Sequence, residues 1–276
     1  MPKLTTSAGN VELHYEDPGG NGRPVVLIHG WPLSGESFAG NVEPLVAAGY
    51  RPITYDRRGF GRSGRPEEGY DYDTLASDLN DLICALDLQR AVILGFSMGG
   101  GEVARYCATY GTARLSGAIL SGSICPALCI TDSNPDGGMP ISGFEEMRDA
   151  CAADHAGFLD QFVTSFYSTA EALVVDEATR RQALALALQS DPGAAARTIM
   201  SWAEDFRDDC RRIDVPTLVI HGDGDLNVPL AASSRRAAQL IPDARLEVIA
   251  GGPHGVNVSH RDQWERALLD HLTRLS

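Results

Sequence analysis

Short, mainly apolar runs alternate with longer amphipathic stretches along most of the chain, and these runs have the length and composition of buried strands. They cover residues 24–29, 53–55, 91–94, 118–120, 217–220 and 246–249. Apolar side chains also recur at helical spacing, for example over residues 72–86 and 264–275. This alternation predicts an α/β fold with a mainly parallel sheet and helices on both of its faces. Residues 4–6 and 11–15 predict an antiparallel hairpin at the edge of the sheet.

The alternation stops over residues 123–210. This stretch begins with a loop rich in proline and glycine and continues with helical patterns, without a predicted strand. The helical patterns cover residues 143–153, 158–167 and 178–189. Helices inserted between two strands of an open α/β sheet are expected at its carboxyl edge, where such sheets bind ligands. We therefore expect residues 1–122 and 211–276 to form a sheet domain and residues 123–210 to form a helical cap.

Composition limits the classes of partner and the compartment. The net charge of −14 disfavours nucleic acid and anionic membranes as partners, because both bind basic patches. The N-terminal residues lack an apolar core of signal-peptide length, and no apolar run is long enough to span a membrane, so we expect a cytoplasmic protein. The six cysteines form no C-x-x-C pair and no zinc-like spacing, which predicts reduced cysteines and no metal site.

The pentapeptide Gly95-Phe96-Ser97-Met98-Gly99 follows the apolar run 91–94 and precedes a helical stretch. A strand, a G-x-S-x-G sequence and a helix together are typical of a nucleophile elbow, a turn so sharp that glycines must flank the serine. The pentapeptide alone is a weak signal, because glycine is frequent in this chain. Its interpretation depends on whether the other parts of an acyl-transfer site are present.

A serine hydroxyl needs a base to take its proton and a third group to orient that base. His254 lies between Gly-Pro and Gly just after the last predicted strand, which is the position expected for the base. Two carboxylates, Asp223 and Asp225, follow the run 217–220. Asp225 lies deeper in the turn and is favoured as the orienting acid, and Asp223 is then a turn former.

Acyl transfer also needs hydrogen-bond donors for the oxyanion that develops on the substrate. The backbone N–H of Met98, the residue after the serine, is one candidate. The loop after the first parallel strand supplies the other, and since Pro32 has no N–H, Trp31 is the candidate donor. Core packing remains the alternative role for Trp31. The run 56–63 is a tight turn after a strand, expected to support the oxyanion loop from below.

Aromatic and branched side chains near these positions are candidates for the acyl pocket, with ordinary core packing as the alternative. They are Trp31, Pro32, Phe96, Ile124, Phe144, Phe158, Phe162, Phe166 and Trp202. A small aryl or short acyl group suits such a set. Of the other histidines, His29 and His221 end strands and are expected to be structural hydrogen-bond partners.

With these residues in place, the chain resembles the α/β-hydrolase superfamily, in which the serine, the acid and the histidine follow this chain order. More narrowly, it is similar to the cofactor-free, non-haem bacterial haloperoxidases and the related aryl esterases and perhydrolases. Ser97 distinguishes it from haloalkane dehalogenases and epoxide hydrolases, which carry aspartate at the elbow. The resemblance rests on the segments HGWPLSGESF (29–38), AGYRPITYDRRGFGRSGRP (48–66), GYDYDTLASDL (69–79), GFSMGGGEVARY (95–106), IDVPTLVIHGDGD (213–225) and GGPHGVNVSH (251–260).

The resemblance implies that Ser97 takes up an acyl group from a small ester or acid, with His254 as base and Asp225 orienting it. Water or hydrogen peroxide then releases the acyl group, and the peracid formed with peroxide oxidises halide outside the protein. It further implies no cofactor, a role for Pro32 in favouring peroxide, and a homo-oligomer as a candidate state. Two alternatives remain: an amide hydrolase such as a γ-lactamase with the same triad, and a non-catalytic binding module.

Overall fold

The computed structural model describes residues 3–275, so residues 1, 2 and 276 at the limits of the predicted sheet domain lie outside the description. The strands are β1 Lys3–Thr5, β2 Glu12–Glu16, β3 Arg23–Ile28, β4 Tyr50–Tyr55, β5 Ala91–Phe96, β6 Leu115–Ser121, β7 Cys129–Ile130, β8 Met139–Pro140, β9 Thr217–Gly222 and β10 Ala244–Ile249. Eight of them form one sheet in the order β1-β2-β4-β3-β5-β6-β9-β10. The strands from β4 to β10 in this order are all parallel, whereas β1 and β2 pair antiparallel at one edge, which confirms the predicted sheet and hairpin.

The helices are α1 Ala39–Ala47, α2 Tyr72–Ala85, α3 Gly99–Tyr110, α4 Ile141–Ala153, α5 His155–Phe166, α6 Glu177–Ala187, α7 Pro192–Ser201, α8 Arg207–Arg211, α9 Ser234–Leu240, α10 Val256–Ser259 and α11 Arg261–Arg274. Aspartates begin several of them: the side chains of Asp71, Asp154, Asp176 and Asp191 each accept a backbone N–H of the first turn. The central strands β5 and β9 are buried along their whole length, as expected for strands covered on both faces.

The segment between β6 and β9 departs from the prediction in three details. The expected helices correspond to α4, α5 and α6, with bounds within three residues of the prediction. The expectation of no strand is wrong, because β7 and β8 form a short parallel pair. Helix α7 was not predicted, although Asp191 as N-cap and Pro192 at the first helical position are start signals. The boundary expected at residue 210 falls inside α8, which packs against α3 and α9.

The apolar core lies on both sides of β3, β5, β6 and β9 and continues into the insertion through Phe144, Leu159 and Ile199, all of which are buried. The functional side chains therefore stand on a rigid sheet whose carboxyl edge is covered by the inserted helices. None of the helices within residues 3–275 has the length and apolar character needed to cross a membrane.

Candidate active site

Ser97 stands at the turn between β5 and α3, and its φ of 53° lies in the left-handed region that non-glycine residues rarely adopt. The flanking glycines have no room for a side chain. A Cβ on Gly95 would lie 2.3 Å from the carbonyl oxygen of Gly99, and one on Gly99 would lie 2.6 Å from that of Ile28. The tight packing of strand, turn and helix therefore holds Ser97 in a strained conformation, as the G-x-S-x-G pattern predicts.

The structure brings the three predicted triad side chains together. The hydroxyl of Ser97 donates to Nε2 of His254 over 2.8 Å, and Nδ1 of His254 donates to Oδ2 of Asp225 over 2.6 Å. An ionised carboxylate only accepts hydrogen bonds, so the proton of the neutral imidazole lies on Nδ1 and leaves Nε2 to accept from the hydroxyl. Asp225 follows β9 and His254 follows β10, so the parallel sheet delivers both to the edge where Ser97 lies.

Asp225, and not Asp223, reaches the histidine. Oδ1 of Asp225 accepts two backbone N–H groups of its own turn at 2.9 and 2.8 Å. Burial raises the pKa of Asp225, but the positive charge that His254 carries when it is protonated and the accepted hydrogen bonds outweigh burial and hold the pKa below its usual range. Asp223 is exposed, and its carboxylate accepts the backbone N–H of Gly251 at 2.7 Å. Asp223 is therefore the turn-forming residue of the two.

Two aromatic rings fix the plane of the His254 imidazole. The ring of Phe96 lies 5.2 Å from it and that of Phe166 lies 4.8 Å away, edge-on, as measured between centroids. The carbonyl of Phe166, at the end of α5, also accepts the backbone N–H of Gly255 at 2.9 Å. The insertion is thus attached to the loop that carries the histidine.

Two backbone N–H groups beside Ser97, those of Trp31 and Met98, donate to no acceptor within residues 3–275, although both residues are about 1% exposed. Buried N–H groups are seldom left unpaired. Met98 precedes the N-terminus of α3, which favours negative charge. A Cβ on Gly30 would lie 3.1 Å from Cβ of Ser97, so the loop of Trp31 packs directly on the elbow. The Trp31–Pro32 peptide bond is cis. The two unpaired N–H groups have the character of an oxyanion hole.

A buried polar network lies beneath this loop. The guanidinium of Arg57 forms an ion pair with Glu102 on α3 and donates to the carbonyl of His29 at 2.7 Å. The backbone N–H of Arg57 donates to Nε2 of His29 at 2.9 Å, and the hydroxyl of Tyr55 donates to Glu102 at 2.5 Å. Burial and the charge of Arg57 lower the pKa of His29, so its ring stays neutral and can accept. Through these contacts Arg57, from the run 56–63, holds His29, which immediately precedes the loop of Trp31.

A cavity of about 340 Å³ opens onto Ser97 and His254. Its wall is mainly apolar and comes from both the sheet domain and the insertion. Besides Ser97 and His254, the lining residues are Trp31, Ile124, Leu128, Gly138, Met139, Phe144, Met147, Phe162, Ser165, Trp202, Leu226, Asn227, Val228 and Pro229. The size and the apolar character suit a small substrate with few polar groups.

Not all predicted pocket residues border this cavity. Trp31, Ile124, Phe144, Phe162 and Trp202 line it. The residues expected there that do not line it are Pro32, Phe96, Phe158 and Phe166. Pro32 is buried in the oxyanion loop, Phe158 packs edge-on to Trp31 at 6.0 Å between centroids, and the other two hold the imidazole. Their expected position is corrected because each fills space between elements and does not border the cavity.

Several lining residues were not predicted, and only some of them had a readable signal. Met147 and Ser165 lie three residues after Phe144 and Phe162 on the same helices, so helical spacing places each pair on one face. Leu128, Met139 and the residues just after Asp225 come from loops or short strands, whose side-chain directions follow no simple period. They reach the cavity only through tertiary packing.

The side chains and backbone N–H groups of the site can activate a serine, take up its proton and stabilise an oxyanion. Within the part of the chain described, no group of three histidine, cysteine, aspartate or glutamate side chains is arranged to hold a metal ion. The fold, and the arrangement of Ser97, His254 and Asp225 at the carboxyl edge of its sheet, are those of the α/β-hydrolase class.

Comparison with known proteins agrees with this class. The profile of the α/β-hydrolase fold family matches residues 23–260. A non-haem chloroperoxidase of Kitasatospora aureofaciens is 39% identical over 99% of this chain and 100% of its own length. A bifunctional esterase/perhydrolase of Acinetobacter calcoaceticus is 31% identical over 98% of each chain. The crystal structure of a bromoperoxidase from Bacillus anthracis superimposes with a TM-score of 0.95 at 42% identity, covering 99% of each chain. The chain therefore belongs to the α/β-hydrolase family and is an enzyme similar to its non-haem haloperoxidases.

Proposed function

We propose that this protein is a serine esterase that transfers the acyl group of small carboxylic esters to water and, where hydrogen peroxide is present, to peroxide. The observation that carries the proposal is the relay of Ser97, His254 and Asp225 at a small apolar cavity. The names of the relatives, a chloroperoxidase, a bromoperoxidase and an esterase/perhydrolase, support the perhydrolase part.

Acylation begins when Oγ of Ser97 bonds to the carbonyl carbon of the ester while Nε2 of His254 takes its proton. The negative charge that forms on the carbonyl oxygen is stabilised by the backbone N–H groups of Trp31 and Met98, each worth about 3–4 kcal/mol in such a site. The carbon–oxygen bond to the leaving alcohol then breaks, and His254 returns the proton to that oxygen. Asp225 remains ionised and orients the imidazole throughout.

Deacylation repeats the proton transfers in reverse, with water or hydrogen peroxide as the acceptor of the acyl group. His254 takes a proton from water or hydrogen peroxide as the oxygen attacks the acyl carbon, and the bond to Oγ of Ser97 breaks. Ser97 recovers its proton from His254. Water yields the carboxylic acid, and peroxide yields a peracid, which can oxidise bromide or chloride in solution without a redox centre in the protein.

The cavity predicts the substrate class. Its apolar wall suits short aliphatic or small aryl acyl groups, since about 340 Å³ is near the lower limit for small-molecule sites. The exception is one polar pair, in which the hydroxyl of Ser165 donates to the amide oxygen of Asn227 at 2.8 Å. An ester with one hydrogen-bond acceptor away from the carbonyl is therefore compatible with the site.

The proposal is tested with p-nitrophenyl acetate, with acetate plus hydrogen peroxide, bromide and a halogenation dye, and with a bicyclic γ-lactam. Ser97→Ala should lower ester and perhydrolysis rates at least about 10⁴-fold, because no other group can form the acyl-enzyme. Ser116→Ala, which changes a serine hydroxyl bonded to the carbonyl of Arg90, is the matched control and should retain wild-type rates.

The outcomes separate the alternatives. Full activity in Ser97→Ala would refute the nucleophile. A wild-type enzyme that opens the lactam far faster than it cleaves the ester would favour an amide hydrolase, and inactivity on every substrate would favour a binding module. A chelator should leave all rates unchanged, and loss of activity on chelation would contradict the metal-free mechanism.

A further inference from the structure

The carboxylate of Asp225 contacts two histidines. Oδ2, which accepts from His254, also lies 3.0 Å from Nε2 of His221. His221 belongs to β9, is fully buried, and has both ring nitrogens in contact with polar atoms. Nε2 is also 2.8 Å from the carbonyl oxygen of Val228, and Nδ1 is 2.7 Å from the hydroxyl of Ser234.

These partners decide where the proton of His221 lies. Nε2 faces a carboxylate and a carbonyl, both of which only accept, so Nε2 carries the proton. The hydroxyl of Ser234, at the start of α9, can donate to Nδ1, so that both ring nitrogens of His221 are hydrogen-bonded. Of the groups around the His221 ring, Asp225 is the ionised one in contact with it. His254 lies on the other side of the same carboxylate. The residue paired with His221 on β10, Val248, is apolar. The one N–H on Nε2 is therefore shared between the carbonyl of Val228 and Oδ2 of Asp225.

The carboxylate accordingly accepts three N–H groups and shares a fourth, that of His221, with the carbonyl of Val228. Two backbone groups donate to Oδ1, and the two imidazoles of His254 and His221 share Oδ2. Rotation of the carboxylate would break at least one of these bonds in a buried site, which is costly. The second imidazole also takes up part of the negative charge on Oδ2 that would otherwise act on His254 alone.

We propose that His221 is a positioning residue for the acyl transfer, an inference that rests on the proposed roles of Ser97, His254 and Asp225. Its N–H fixes the rotation of the Asp225 carboxylate and moderates the attraction of that carboxylate for the proton on His254. The proton that His254 takes from Ser97 is then released more readily to the leaving alcohol. His221 and Asp225 are four residues apart, and the turn that follows β9 brings them into contact.

The test compares His221→Met with His221→Gln. The two side chains are similar in length and shape, but only glutamine carries an N–H donor that can reach the position of Nε2. With p-nitrophenyl acetate, we expect His221→Met to lower kcat about tenfold with KM nearly unchanged, and His221→Gln to recover most of that loss. The acid-side midpoint of the kcat/KM profile should move to higher pH in His221→Met, because the carboxylate then holds the His254 proton more strongly, and should return towards wild type in His221→Gln.

The inference is wrong if His221→Met has the wild-type kcat and pH profile, if its midpoint moves to lower pH, or if His221→Gln is impaired to the same degree. Titration with a serine-reactive phosphonate counts active sites, so that a loss of folded protein is not read as a loss of kcat. Failure of the proposed function would be distinct, since it would leave Ser97→Ala active.

A measurement on the unaltered protein covers the case in which His221→Met does not fold. Nitrogen-15 NMR of the imidazole rings should show a proton on Nε2 of His221, and a proton on Nδ1 would overturn the inference. Ser234→Ala removes the hydroxyl that donates to Nδ1. It should shift the acid-side midpoint in the same direction as His221→Met but by less, and a shift in the opposite direction would also contradict the proposal.

Discussion

The sheet domain and the insertion bury different kinds of polar side chain. In the sheet domain, the buried set includes Arg57, Glu102, Asp225 and His254, which are charged or can become charged and are hydrogen-bonded to protein groups. In the insertion, the buried polar side chains carry only hydroxyl or amide groups: Ser123, Asn134, Ser190 and Thr198. The two regions therefore have different roles: the sheet domain sets the electrostatics of the site, and the insertion sets its shape.

The physical reason lies in the cost of burying charge. A buried ion needs a partner at hydrogen-bond distance, and rigid strand ends and tight turns can hold such partners in place. Apolar helices over the carboxyl edge can vary in side-chain size without leaving a charge unpaired. Changes in the sheet domain should therefore abolish the reaction or destabilise the fold, whereas changes in the insertion should alter which acyl groups are accepted.

The largest effect is expected for Asp225→Asn. The amide would donate to Nδ1 of His254 or leave it unpaired, which favours the wrong tautomer, and kcat should fall about 10⁴-fold. Asp223→Asn is the matched control, because the exposed Asp223 accepts only a backbone N–H, and its kcat should stay within about threefold of wild type. Steady-state hydrolysis of p-nitrophenyl acetate distinguishes them, and equal losses would contradict the assignment of the acid.

Glu102→Gln should mainly reduce stability. The change leaves the buried guanidinium of Arg57 without its carboxylate, at a cost of about 3–5 kcal/mol. Thermal unfolding should show Tm lowered by about 10 °C. Glu12→Gln, which breaks the exposed ion pair with Lys3, should change Tm by no more than a few degrees. Equal stability of the two variants would refute the cost assigned to leaving a buried charge in the sheet domain unpaired.

Phe162→Ala should change the preference among acyl groups more than it changes the acyl-transfer step itself. Phe162 lines the cavity, so its truncation should favour longer acyl chains over acetate by about tenfold in kcat/KM. Phe158 lies one turn earlier on α5 and contacts Trp31 but does not line the cavity, which makes Phe158→Ala the control for lost packing. A series of p-nitrophenyl esters measures the preference, and the same shift in both variants would show that the cavity wall does not set it.

The smallest effect is expected for His271 on α11. Burial and the charges of the nearby Arg245 and Arg274 lower the pKa of the His271 imidazole to about 4. Between pH 6.5 and 4 the unfolded chain therefore binds a proton that the folded protein excludes, so stability falls as the pH is lowered through this window. His271→Leu should flatten the dependence of Tm on pH by a few degrees across that range. Parallel curves for wild type and variant would disprove the contribution of this histidine.

The sequence predicts the sheet domain better than the insertion. Apolar runs give the position of each central strand, and the loops that follow β5, β9 and β10 carry Ser97, Asp225 and His254. In the insertion, Pro192 and Gly193 resemble a turn, so helix α7 is overlooked despite its aspartate cap. The cavity wall is predicted only in part, because which aromatic side chain borders a cavity depends on the packing of distant elements.

By itself, the sequence determined the fold class, the elbow and the chain order of the triad, because these depend on local patterns and on the shared edge at which parallel strands end. Only the tertiary structure decided which carboxylate meets His254, that the Trp31 and Met98 N–H groups are unpaired within residues 3–275, and that Nε2 of His221 lies 3.0 Å from the Asp225 carboxylate. These contacts depend on side-chain directions across long chain separations and on the exclusion of water, neither of which a one-dimensional pattern contains.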